Sequence, residues 1–141
     1  MKKLLLSAGL ALVIGAGMSL LTVGAAVADE IKVTLNGSQE VPPVTTSATG
    51  SGTVTINADM SVSASIKTSG VEATAAHIHM APAGQNGPVA VPFTKSGDAW
   101  VAAPGAKLTE AQYAAYKTGN LYVNVHSAAN KGGEIRGQLK P

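Results

Sequence analysis

Ile31-Lys32-Val33-Thr34-Leu35-Asn36 alternates apolar and polar side chains without a break. Successive side chains on a strand point to opposite faces, so this period of two predicts a strand with one buried face. Working outward, residues 52–57 put Val54 and Ile56 on one face, and residues 61–68 do the same with Val62, Ala64 and Ile66. Asn57-Ala58-Asp59 between them supplies turn chemistry, which makes the two a hairpin. Residues 75–80 and 88–94 predict two further strands around a Pro/Gly/Asn loop at 81–87, and residues 121–126 and 134–139 predict the last two. Residues 37–47 read as a loop, because Pro42-Pro43 cannot sit in a central strand. Residues 95–104 read as polar and irregular around Trp100. Residues 108–117 predict the one helix, with Thr109 as N-cap, Gln112 as its capping-box partner and Gly119 as the stop. Short strands separated by Gly/Pro turns leave a sandwich or a barrel.

The first residues have a different character. Lys2 and Lys3 precede a nearly continuous apolar stretch over residues 4–23, and Ala26-Val27-Ala28 is an A-x-A cleavage signature. Residues 1–28 are therefore expected to be a signal peptide and residues 29–141 the mature domain, secreted to the periplasm or beyond the cell. A retained membrane anchor is the alternative, since a span needs about 20 apolar residues. Gly9, Gly15, Gly17 and Gly24, with the A-x-A signature, favour cleavage, after which no membrane span is expected.

Charge and cysteine narrow the chemistry. The chain has ten Lys and Arg against eight Asp and Glu, and two of the ten are Lys2 and Lys3, so the mature domain is formally neutral. It offers no basic patch or aromatic platform for nucleic acid. The chain has no cysteine, which excludes disulfides, thiol catalysis and thiolate metal sites.

The three histidines of the chain are His77, His79 and His126. His77 and His79 are two apart on one strand and share a face, with Ile78 turned to the core. In the later strand Val123 and Val125 take the core face, leaving Tyr122, Asn124 and His126 opposite. If the two strands are neighbours, three imidazoles meet. Imidazole suits copper, zinc, iron and nickel, and a thiol-free exported site favours copper, with zinc as the alternative. The competing reading is structural: the histidines hold the 81–87 loop against the sheet by hydrogen bonds. Met80, next to His79, faces away in a regular strand and is a poor fourth ligand. Glu40, Glu134 and Arg136 form a further group, read either as an anion site or catalytic carboxylate, or as an ion pair pinning the Glu40 loop to the last strand.

Several segments taken together resemble the CHRD domain family, which is named for chordin and occurs in single-domain bacterial exported proteins. They are Gly37-Ser38-Gln39-Glu40-Val41-Pro42-Pro43-Val44, Ala48-Thr49-Gly50 and Ala76-His77-Ile78-His79, then residues 81–89, residues 119–126 and Gly132-Gly133-Glu134-Ile135-Arg136-Gly137-Gln138-Leu139. Met80 departs from the pattern, which often has glycine there. The resemblance implies a mainly β, antiparallel, Greek-key-like β-sandwich of immunoglobulin or superoxide-dismutase type, with one short helix. It implies less about activity. Three functions compete: a non-enzymatic exported module binding copper through the histidines, a protein-interaction or envelope module binding an extracellular partner, and a superoxide-dismutase-like redox enzyme. The His-x-His strand with a distant histidine is similar to the copper arrangement of copper/zinc superoxide dismutases, over these residues only.

Overall fold

The computed structural model describes residues 28–141; the expected signal segment, residues 1–28, lies outside the described residues except for Ala28. Eight strands run in the order β1 (Asp29–Asn36), β2 (Thr49–Ile56), β3 (Val62–Ser69), β4 (Ala73–Met80), β5 (Val89–Ser96), β6 (Ala99–Ala102), β7 (Leu121–Ser127) and β8 (Ile135–Leu139), with one α-helix, α1 (Glu110–Lys117), before β7.

The sheet is antiparallel and closes on itself in the order β1-β2-β3-β6-β5-β4-β7-β8. The expected β-sandwich is therefore corrected to an eight-stranded barrel. Alternation fixes which face of each strand is buried, and it does so identically in both architectures. What separates them is whether the outermost strands find each other. Here β1 meets β8 at Asn36 and Arg136, which leaves no open edge. Gly137 permits that approach: a Cβ there would sit 2.5 Å from the Thr34 carbonyl oxygen and 2.7 Å from Val33 Cγ2.

Inside the barrel the apolar faces pack together. Leu35, Val54, Ile66, Ile78, Val123 and Ile135, from six strands, are all 0 % exposed. Eight strands enclose an interior that side chains can fill without leaving a channel. The expected hairpin of β2 and β3 forms, with Ile56 opposite Val62 at its closed end. Residues 95–104, read as irregular, contain β6, and Trp100 points into the core at 7 % exposure. This strand is only four residues long and turns directly out of β5 at Gly97, too short for alternation to reveal it. Helix α1 starts as expected, with Thr109 and Gln112 forming a capping box, and Gly119 follows its end in the left-handed region at φ 77°. Tyr116 inserts into the core and its hydroxyl donates to Asp29 Oδ2 at 2.8 Å, tying the helix to the first strand. Among the described residues no helix is long and apolar enough to cross a membrane.

Candidate functional site

The outer face of β4, β7 and β8 is polar but not exposed. Tyr122, Asn124 and Arg136 are all 2 % exposed or less, although they alternate with core residues. Two loops fold back over them. Residues 81–87 are held by Arg136, whose guanidinium donates to Gln85 O at 2.8 Å and Pro82 O at 3.1 Å, and by Gln138, whose amide donates to Ala81 O at 2.9 Å. The loop after β1 is joined to the 81–87 loop by Asn86 Nδ2 donating to Val41 O at 2.7 Å. Tyr122, on the middle strand, is flanked from β4 by the parallel ring of His79, centroids 5.0 Å apart, and from β8 by the Arg136 guanidinium, 3.4 Å from its ring centre.

At the margin of this cover the structure brings the three histidines together, His79 buried and His77 and His126 partly exposed. Strand β4 pairs with β7, placing Ala75 opposite His126, His77 opposite Asn124 and His79 opposite Tyr122. One nitrogen from each of His77, His79 and His126 lies within 4.8 Å of the others. His77 Nδ1 and His126 Nε2 are 3.1 Å apart.

The remaining hydrogen bonds fix the tautomers. His79 Nδ1 is 2.9 Å from the Gly87 carbonyl oxygen, and His126 Nδ1 is 2.8 Å from that of Lys131. A carbonyl only accepts, so both Nδ1 atoms carry the proton and both Nε2 atoms present lone pairs. The shared proton between His77 and His126 therefore belongs to His77 Nδ1. At His79 and His126 the bonds to backbone carbonyls use Nδ1 and leave Nε2 for a ligand, whereas His77 Nδ1 and His126 Nε2 serve each other. A backbone carbonyl taking the far N–H of a histidine is the arrangement that orients metal-bound imidazoles.

Among the described residues, three buried side-chain polar atoms have no hydrogen-bond partner: His79 Nε2, Asn124 Oδ1 and Glu40 Oε1. All three belong to this one patch. Burial above all, with the neighbouring imidazoles, holds the His77 pKa below its ordinary value. Burial likewise lowers that of His79, against the pull of its bond to Gly87 and of the Asn124 amide. Burial pushes Glu40 up to about 7, opposed by the Arg136 charge and by the Asn124 amide. The Asn124 amide donates through Nδ2 to Gly132 O at 3.5 Å, and its Oδ1 has no donor.

Glu134 and Arg136 go separate ways. The expected ion pair with Glu40 is not formed; among the described residues the ion pair within 4.0 Å is Lys67–Asp98, at 3.5 Å on the surface. Glu134 accepts from Ser127 Oγ at 2.7 Å, Thr46 Oγ1 at 2.9 Å and Asn130 Nδ2 at 3.2 Å, and the Ser127 bond leads in lowering its pKa. It is a loop anchor for residues 127–133. Clefts of about 530 and 450 Å³ flank the Glu40–Pro43 turn, and Glu40 lines both. Met80 packs against the core, away from the imidazoles. Sequence reading placed Tyr122 and Asn124 on the histidine face but assigned them no part, and it missed Gln138. The signals present are Tyr122-x-Asn124-x-His126 and Arg136-x-Gln138, which set polar groups side by side on adjacent strands.

No curated protein and no solved structure matches the chain. The CHRD domain does match, over residues 31–139, nearly the whole of the described barrel, and the chain belongs to the CHRD domain family.

Proposed function

We propose that this CHRD domain is an exported, non-enzymatic metal-binding module that takes a divalent ion, copper by preference and zinc as the alternative, through His77, His79 and His126. One observation carries the reading: three imidazole nitrogens lie within 4.8 Å, and His79 Nε2 is buried with no donor to meet its lone pair. An unsatisfied buried acceptor costs about 1–3 kcal/mol, and a cation removes that cost where an apolar neighbour does not. Nitrogens on one zinc ion stand about 2.0–2.1 Å from it, so ring rotations close the group around an ion. The ion takes the place of the proton that His77 and His126 share, and His77 then carries its proton on Nε2. The carbonyls of Gly87 and Lys131 keep the other two rings in the ligand tautomer. The absence of thiols and the imidazole donor set support copper or zinc over softer choices. Export rests on the basic, apolar and A-x-A pattern of residues 1–28.

Calorimetric titration with Cu(II) and Zn(II) tests the reading. Wild type is expected to take up one equivalent and a His77→Ala/His79→Ala variant none; no uptake by either protein overturns it.

A further inference from the structure

The geometry points to Asn124 as a fourth donor of the same centre, its Oδ1 completing a set of three nitrogens and one oxygen around a divalent cation. The inference rests on the histidine reading and goes one residue beyond it.

Asn124 faces His77 directly across the β4–β7 pair and lies two residues before His126, on the same outer face. Its Nδ2 points toward the Gly132–Gly133 turn, 3.5 Å from Gly132 O. A Cβ built on Gly133 would lie 2.6 Å from Asn124 Nδ2 and 2.5 Å from Glu40 Oε1, so amide nitrogen and carboxylate crowd one point that only glycine, here at φ 126°, leaves open. Oδ1 is the other end of an amide whose residue shares its outer face with His126 and stands opposite His77.

Oδ1 is buried and has no donor, as is His79 Nε2. A purely structural asparagine in a closed protein interior has both ends satisfied. Here one end is satisfied and the other presents a lone pair next to a second unpartnered lone pair. Two acceptors without a proton between them repel; a cation binds both at once. A mixed nitrogen and oxygen donor set suits Cu(II), and zinc takes oxygen as well as nitrogen ligands. Behind the amide, buried Glu40 brings Oε1 to the same point beside Gly133 as Asn124 Nδ2, and its ionised carboxylate would supply the negative charge that a neutral four-donor set lacks. A carboxylate in that outer position orients a ligand and strengthens it.

Calorimetry with Cu(II) and Zn(II), on wild type, Asn124→Ala and Asn124→Asp, tests this, together with the side-chain ¹³Cγ resonance of Asn124 during Zn(II) addition. Asn124→Ala is expected to weaken binding about ten- to a hundredfold. Asn124→Asp, which keeps an oxygen in place and adds charge, is expected to bind at least as tightly as wild type. The Cγ resonance is expected to move downfield at one equivalent of Zn(II). Asn124→Ala with wild-type affinity, or an unmoved Cγ resonance in a protein that binds zinc, overturns the role of Asn124 and leaves the histidine site standing. Wild type that takes up neither metal overturns both. If Asn124→Ala does not fold, the Asn124→Asp affinity and the Cγ shift decide: weaker binding by Asn124→Asp counts against the oxygen donor.

Discussion

His77 Nδ1 and His126 Nε2 stand 3.1 Å apart on neighbouring strands with a single proton between them. Burial first, and then the charge of neighbouring imidazoles, holds His77 and His79 below the ordinary histidine value of 6.5. The unfolded chain therefore binds these protons more readily than the folded one. The stability that neutral rings contribute is present above about pH 6.5 and is lost as pH falls through their lowered folded-state values. Melting curves of the metal-free protein should show Tm falling from pH 7 to pH 5, and a His77→Gln/His79→Gln variant should show a shallower fall. Equal slopes contradict the assignment. With copper present the wild-type slope should steepen, because the ion binds only deprotonated rings.

Glu40 has the opposite sign. Burial raises it from 4.5 to about 7, so the fold favours its protonated form. The corresponding stability is present below about pH 4.5 and is lost as pH rises toward 7. Glu40→Gln should melt a few degrees higher than wild type at pH 8 in the absence of metal, with the difference gone at pH 4. In the presence of copper the same variant should bind less tightly, since the charge behind Asn124 is removed.

Arg136 is buried with its donors on backbone carbonyls of the 81–87 loop. Lysine cannot reproduce two such bonds together with the stack on Tyr122. Arg136→Lys is expected to cost about 2–3 kcal/mol in denaturant unfolding and to open the loop to proteolysis between residues 82 and 86. An intact loop under protease excludes the clamp.

Barrel closure has its own test at Gly137. Gly137→Ala puts a methyl group 2.5 Å from Thr34 O, which should destabilise by about 1–3 kcal/mol, the usual range for overpacking. Gly132→Ala, where nothing lies within 4 Å of the added Cβ, is the control and should be near neutral. If the two behave alike, β8 does not lie against β1 as described.

Much of this was legible in the sequence. Period two at residues 31–36 and 121–126 marks strands because strand side chains alternate, and the same geometry put His77 and His79 on one face. Legibility stopped at contacts without a local pattern. The meeting of β1 and β8 joins Asn36 to Arg136, a hundred residues apart, and shows in the sequence only as Gly137. The outer face of β7 reads as solvent-facing, because alternation says nothing about loops that return to cover it. Arg136 pairs by sequence logic with a carboxylate, yet it donates to the carbonyls of Pro82 and Gln85 and to Gln138 Oε1, and backbone carbonyls carry no residue-type signature.

Electron paramagnetic resonance of the wild-type protein with one equivalent of Cu(II), with pulsed detection of the remote imidazole nitrogens, tests the central claim most directly. A single copper species coupled to three imidazoles is predicted, reduced to two in His126→Ala. A spectrum without imidazole coupling, or one that His126→Ala leaves unchanged, contradicts it.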